Sequence, residues 1–331
     1  MPSPVDRSAF DALRERAFDA LVHGRAADAA PLLEQLTAID PHNPGLHELR
    51  LSAAIMNLHW PAERAPARLE PRSPPRDDMV DIVLFHADPP AAAPRQQPSG
   101  YIAMAAMAFE AARVRAPAAR RVLLTDRHTL VPPMVGAHEI IRHDIDHGRL
   151  MYERMRVQRK YLESRGVDRV SVMTDVDVVA NRNPTEIFAE EFDIGLTWRS
   201  QVPHMPFNGG VLFAGSGAGA VAFFDAALKC WDALSSDAAV AAAFKRDLRH
   251  WWGDQFVLAI LIGYREFAQR QSEAASIDGV KVRFFPCDAY NFAPTSGTDY
   301  QQLTDRRFLH FKGARKSSLP LYIRQMRDGK I

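Results

Sequence analysis

This chain has little cysteine. Two residues, Cys230 and Cys287, stand far apart among 331, with no Cys-x-x-Cys pair. That spacing argues against a disulfide framework or a structural zinc site and fits a reducing compartment. Net charge is also small: 41 basic against 40 acidic residues leave +1. No global field then draws the chain to nucleic acid or an anionic membrane. Long apolar runs are missing too. The longest, Phe256 to Ile262, falls far short of the roughly 20 residues that span a bilayer and reads as buried helix. The opening residues, Met1-Pro2-Ser3-Pro4-Val5-Asp6-Arg7, have no basic stretch followed by an apolar core, so no signal peptide is expected. The expectation is a soluble, cytoplasmic protein. What is there is an ordinary globular composition, 47% hydrophobic and 24% charged. It suffices for one large domain and a smaller one.

Residues 8–60 read as helical. Phe10, Leu13, Phe18 and Leu21 lie on one stripe, Gly24 breaks the chain, and Ala29, Leu32, Leu33 and Leu36 begin a second stripe. Asp40-Pro41-His42-Asn43-Pro44 stops that helix, and a third runs from about Leu46 to Leu58. This order resembles about one and a half tetratricopeptide units; a plain helical hairpin fits equally. Stacked repeats usually need about three units to stand alone, so this piece is expected to pack on its neighbour domain or on a protein partner. Residues 61–76 carry five prolines, Pro61, Pro66, Pro71, Pro74 and Pro75, and read as a semi-extended linker. From Met79 onward strands alternate with helices: strand 82–85, helix 101–115, strand 121–125, a third strand at Glu139-Ile140-Ile141, then a charged helix over 148–164. That is α/β order with a mainly parallel sheet, in which ligands bind outside the carboxyl ends of the strands.

Val172-Met173-Thr174-Asp175-Val176-Asp177-Val178-Val179 ends such a strand with two carboxylates. Hard oxygen ligands at a sheet edge suit a divalent cation that also holds phosphate oxygens. Asp88 and Asp126 also follow strands, which suggests one crevice, although Asp is a common loop residue. Four further segments carry chemistry. In Pro206-Phe207-Asn208-Gly209-Gly210 the glycines permit close backbone approach, and Asn208 offers a donor and an acceptor to sugar hydroxyls or a diphosphate; a simple turn is the plainer reading. Trp251-Trp252-Gly253-Asp254-Gln255 sets an acid and an amide beside two aromatic rings, although Asp254 also suits a helix cap. Phe308-Leu309-His310-Phe311-Lys312-Gly313-Ala314-Arg315-Lys316 brings a histidine able to complete a metal site and a lysine able to reach phosphate. On the helix before the acidic strand, Arg154 and Gln158 share a face.

Taken in order, Asp-x-Asp-Val, Phe-Asn-x-Gly-Val, Asp-Gln and His-x-x-Gly-x-x-Lys resemble the GT-A glycosyltransferases, most of all the retaining glycogenin and lipopolysaccharide galactosyltransferase group. The match covers roughly residues 79–320. The resemblance implies a GT-A domain over 77–331, a mixed, mainly parallel sheet flanked by helices, behind a small all-α region at 1–60 and the linker at 61–76. It implies a nucleotide-sugar donor, usually a UDP-sugar, with Mn²⁺ or Mg²⁺ held by Asp175, Asp177 and His310. Asp175 would also lie on the donor, together with Asp88 near the nucleoside, Arg154, Asn208 and Lys316 on a phosphate. Asp254 and Gln255 would serve catalysis beside the sugar, which would pass with retention to a glycan, lipid-linked or protein acceptor. Two features depart from the group: Ser317-Ser318 replaces its Pro-Trp, and the loop Asp88 to Gly100 is unusually rich in proline.

Two rival readings start from the same residues. A haloacid-dehalogenase-type phosphotransferase also uses Asp-x-Asp after a strand, but there the motif ends the first strand. Here two or three strands precede it, and Gly253-Asp254-Gln255 lacks a second acid. The other rival is a catalytically inactive sugar-nucleotide-binding protein that works through its N-terminal helices. The terminal stretch Leu319 to Arg327 reads as a packed helix, with peripheral membrane contact as the alternative.

Overall fold

The computed structural model describes residues 7–58, 60–90, 97–199, 202–263 and 273–331. Met1 to Asp6, and residues 91–96 of the Pro-rich loop, lie outside the described residues.

Three helices open the chain: α1 (Arg7–Val22), α2 (Ala26–Ile39) and α3 (Pro44–Asn57). Gly24, at φ +70°, makes the turn between the first two. Asn43 caps α3 by accepting the Gly45 N–H. The second stripe is fully inward: Ala29, Leu32, Leu33 and Leu36 are all buried. In the first, Phe10 and Leu21 are buried but Phe18 is exposed.

The remainder is a nine-stranded sheet with helices on both faces. Its strands are β1 (Arg64–Pro66), β2 (Val80–Phe85), β3 (Arg120–Asp126), β4 (Glu139–His143), β5 (Val170–Thr174), β7 (Ile194–Trp198), β8 (Phe207–Ala214), β9 (Ala274–Ile277) and β10 (Val280–Pro286). The spatial order is β1-β9-β10-β7-β8-β5-β2-β3-β4. Seven strands run one way and β8 and β9 the other. Two short strands, β6 (Val178–Ala180) and β11 (Phe308–His310), pair apart from this sheet. Among the described residues the further helices are α4 (Gly100–Arg115), α5 (Leu150–Ser164), α6 (Gly219–Ser236), α7 (Ala238–Arg249), α8 (Gly253–Ile262), the single turn α9 (Cys287–Tyr290) and α10 (Leu319–Arg327). The mixed, mainly parallel sheet and the small helical N-terminal region expected from the sequence are both present.

Period two in β2 explains the layering. Val80, Ile82 and Leu84 join the core built on α4, β6, β11 and α10. Val83 and Phe85 join the core on the opposite face, with α5, α6, α8 and the N-terminal helices. Both faces are covered, so every residue of β2 is buried, and from Ile82 to Phe85 the strand reads as a continuous apolar run. The apolar run at 256–262 lies in α8, whose residues are buried all round. The terminal stretch is the packed helix α10, with Leu319, Tyr322, Ile323 and Met326 inside.

The Pro-rich stretch is held to the body along its length. Residues 64–66 form β1, antiparallel to β9 at the sheet edge. Arg64 donates to the Leu261 and Ile262 carbonyls at the end of α8, at 3.0 and 3.1 Å. Arg72 donates to the Phe188 carbonyl at 2.9 Å.

Candidate active site

Chain order sends β3 to one side of β2 and β5 to the other. This is a topological switch point, where open α/β sheets leave a crevice at the carboxyl ends of their strands. A cavity of about 530 Å³ opens there. Phe85 and His86 reach it from the end of β2, Asp175 and Asp177 from the end of β5, and Asn208 and Gly210 from β8.

The acidic pair lies between two strands rather than within one. β5 stops at Thr174 and β6 starts at Val178, so the run 172–179 is two strands joined by a tight turn. The Val178 N–H donates to the Asp175 carbonyl at 3.1 Å, and the Asp175 N–H to the Gly210 carbonyl at 3.0 Å. β6 pairs antiparallel with β11, which sets Val178 opposite His310. That pairing carries the histidine across more than 130 residues of sequence to Asp177. Its Nε2 lies 3.3 Å from Asp177 Oδ1. One ligand atom from each of Asp175, Asp177 and His310 lies within 4.8 Å of the others. Two carboxylates and an imidazole fit a hard or borderline divalent cation such as Mg²⁺ or Mn²⁺.

The histidine is aimed by a residue that no sequence motif announced. Asn291 Oδ1 lies 2.8 Å from His310 Nδ1. Asn291 in turn donates to Thr197 Oγ1 at 3.0 Å, and Thr197 donates to the Asn208 carbonyl at 2.9 Å. With Nδ1–H engaged, Nε2 keeps its lone pair for a ligand.

Cations meet the acids directly. Lys316 Nζ stands 3.3 Å from Asp177 Oδ2 and 4.5 Å above the ring of Tyr101. Burial raises the Asp177 carboxyl, but His310 and Lys316 outweigh it and hold it below the usual carboxylate range. Arg154, buried on α5, donates to Asp175 Oδ1 at 2.6 Å and also to Asp254 Oδ2. Burial works against this guanidinium, and the two carboxylates more than offset it.

Asn208, Gly209 and Gly210 are not a turn. They lie inside β8, where its register with β7 shifts between Leu196 and Thr197. The glycines make room for side chains. A Cβ on Gly210 would stand 2.6 Å from the His310 ring, and one on Gly209 would collide with the Arg154–Asp254 pair. Asn208 lines the cavity, with its Oδ1 accepting the Gly210 N–H at 2.9 Å.

Asp254 occupies the first turn of α8, whose cap is Trp252. It is buried and paired with Arg154, which lines the cavity as Gln255 does, while Asp254 itself does not. Trp251 is exposed on the rim, whereas Trp252 turns away and donates to Asp247 Oδ1 at 3.3 Å. Asp88 is buried one layer back and holds His86 at 2.9 Å, which stacks on Tyr101. Asp126 is tied up by the backbone of His128 and Thr129 and by His147, away from the cavity. Gln158 is buried on α5 one turn after Arg154. Arg199 and Lys312, which also line the cavity, carried no motif of their own.

No protein-family model and no curated protein matches the chain. Among solved structures the chain is similar to the galactosyltransferase LgtC in complex with donor and acceptor sugar analogues, at 15% identity, covering 76% of this chain and 100% of that one, with a TM-score of 0.41. It is similar to a glycosyltransferase involved in glycosylation of the major capsid of PBCV-1, at 12% identity, over 74% of this chain and 98% of that one, TM-score 0.40. It is also similar to the glycosyltransferase GlyE of Streptococcus pneumoniae TIGR4, at 13% identity, over 55% of this chain and 43% of that one, TM-score 0.38.

Proposed function

We propose that this protein is a metal-dependent glycosyltransferase. It takes a nucleotide-sugar donor, a UDP-sugar in the first instance, and passes the sugar to a glycan, lipid-linked or protein acceptor, with retention. The observation that carries this reading is the convergence of Asp175, Asp177, His310 and Lys316 at the switch-point cavity, from two segments more than 130 residues apart in the chain. The neighbouring β2 end, with Tyr101 and His86 stacked, offers a flat aromatic wall for a base.

The chemistry follows from charge. A nucleoside diphosphate leaves with negative charge that must be stabilised as the glycosidic bond breaks. Mn²⁺ or Mg²⁺ held by Asp175, Asp177 and His310 would neutralise that charge as a Lewis acid. Lys316 stands within reach of the same phosphates as a compact cation. Arg154 anchors Asp175 so that its carboxylate keeps one orientation, and the same guanidinium fixes Asp254 behind Gln255. Asn208 and Gln255 face the cavity with neutral donors and acceptors suited to sugar hydroxyls.

The reading is tested with Asp177→Ala. Calorimetric titration of the wild type with UDP-sugars should show binding that requires Mn²⁺, and the variant should lose it while keeping the native circular dichroism spectrum. Wild-type-like, metal-dependent binding or turnover by the variant would sink the assignment. A phosphate-ester hydrolase would instead release phosphate from simple esters, with Asp175 as nucleophile. The Arg154 contact to Asp175 weighs against that, as does the nearby Asp254 being held by the same guanidinium.

A further inference from the structure

We propose that Arg199 and Lys312 form an anion subsite in this cavity, which takes one carboxylate or phosphate group carried on the transferred sugar or on the acceptor. The proposal rests on the nucleotide-sugar reading above and narrows it to an acidic substrate.

Among the described residues four full cations line the cavity: Arg154, Arg199, Lys312 and Lys316. Two of them are matched. Arg154 serves Asp175 and Asp254, and Lys316 serves Asp177. The other two are not. Arg199, half-buried after β7, donates only to neutral oxygens: the Met205 carbonyl at 2.6 Å, the Phe207 carbonyl at 3.3 Å and Gln255 Oε1 at 3.2 Å. Lys312, half-buried after β11, has its backbone engaged, the N–H on the His310 carbonyl and the carbonyl on the Arg315 N–H, while among the described residues its ammonium makes no hydrogen bond. Among the described residues no carboxylate forms an ion pair with either side chain. Half-burying two cations that line one cavity without a counter-charge costs free energy unless a ligand supplies one.

The charge balance gives the size of that ligand. Asp175, Asp177 and Asp254 exceed Arg154 and Lys316 by one negative charge. A divalent ion and a donor diphosphate cancel each other. Arg199 and Lys312 then leave the loaded site with one positive charge in excess. A single anionic group restores neutrality. Position gives its place. Arg199 is bonded to Gln255, which lines the cavity with it, whereas Lys316 is bonded to Tyr101. The planar guanidinium fork suits a two-oxygen acid, with Lys312 as a compact second charge.

The experiment is calorimetry on the full chain with Mn²⁺. One arm compares UDP, UDP-glucose and UDP-glucuronate. The other loads UDP and compares glucose with glucose 6-phosphate. In the wild type, one of the two anionic probes should bind about tenfold or more tighter than its neutral counterpart, as charge-assisted hydrogen bonds do. The arm that shows it identifies the donor sugar or the acceptor as the source of the charge. In Lys312→Met, which keeps the apolar stem, the anionic-to-neutral ratio should fall towards one. Arg199→Gln should do the same, but Arg199 also braces the backbone at 205–207, so Lys312→Met decides. The proposal is overturned if neither anion is preferred by the wild type, or if the preference survives in Lys312→Met. It is also overturned if that variant weakens UDP as much as the anionic probe, which would assign Lys312 to the diphosphate. Failure of UDP and both UDP-sugars to bind with metal would instead remove the nucleotide-sugar reading, and this subsite with it.

Discussion

A metal ligand is only as good as the side chain that aims it. His310 is 5% exposed and touches Asp177 through one ring nitrogen and Asn291 through the other. Losing such an orienting partner typically costs a metal site ten- to a hundredfold in affinity. Asn291→Ala should therefore weaken Mn²⁺ binding by about that factor while the native circular dichroism spectrum is kept; an unaltered Mn²⁺ titration would show that packing alone fixes the ring. The contrast with the other site residues explains what a sequence can show. Asp175, Asp177, His310 and Lys316 sit in a recognisable spacing and were legible from it. Asn291, Arg199 and Lys312 were not, because an orienting amide or an unpaired cation has no period and no fixed neighbour in the chain. Asp88 and Asp126 drew notice because each follows a strand, yet one holds His86 and the other closes a loop. Position after a strand is shared by ligands and by ordinary turn residues.

Between elements, a buried carboxylate at the far end of the sheet ties the parallel strands together. Asp81 on β2 is fully buried, and accepts from Arg120 on β3, from Arg169 just before β5, and from Tyr161 on α5. Burial pushes its carboxyl up, but the hydrogen bonds from Arg169, Arg120 and Tyr161 prevail and hold it below the ordinary value. A carboxylate whose folded pKa is depressed stabilises the fold above its unfolded pKa, about 3.9. That stabilisation drains away as pH falls from there towards the folded value. Asp81→Asn should cost about 3 kcal/mol in urea unfolding at pH 7, since it strips the counter-charge from a buried cluster. The gap between variant and wild type should then narrow below about pH 4. A gap that stays constant into strong acid would mean that shape, not charge, is what Asp81 contributes. The order of strands and helices from Met79 onward was readable from apolar runs and breaks. The two-strand interruption at Asp175–Asp177 and the shifted register in β8 were not, because both arise from pairing with distant strands. The Asp278-Gly279 turn joining β9 to β10, with both residues at positive φ, is by contrast a local signal, since an Asp-Gly pair suits a two-residue hairpin.

At the scale of the whole molecule, the N-terminal helices belong to the same core as the sheet. Phe10, Leu36, Leu46 and Ile55 join Trp231, Val257 and Leu261 in one buried cluster. The stripes of α1 and α2 foretold helices, but not what they would cover, because an amphipathic face does not name its partner. A polar contact marks the seam. His47 on α3 reaches Asp247 at the end of α7, at 3.0 Å, and the same Asp247 oxygen accepts the indole N–H of Trp252, beside the rim residue Trp251. Asp247 is 1% exposed while His47 is about half open, so His47→Ala removes one partner and leaves the buried acid with the indole. A double-mutant cycle on His47→Ala and Asp247→Asn, read by urea unfolding, should return a coupling of about 1 kcal/mol, within the range found for residues in direct contact. Additive costs would mean that the helices rest on the sheet through apolar burial alone. If the coupling is present, it should have a second reading. Trp252 shares Asp247 with His47, so His47→Ala should shift the tryptophan emission of the folded protein, although residue 47 lies about 200 positions from the ring. An emission spectrum unmoved by His47→Ala would show that the seam ends at Asp247 and that the N-terminal helices do not reach the cavity rim.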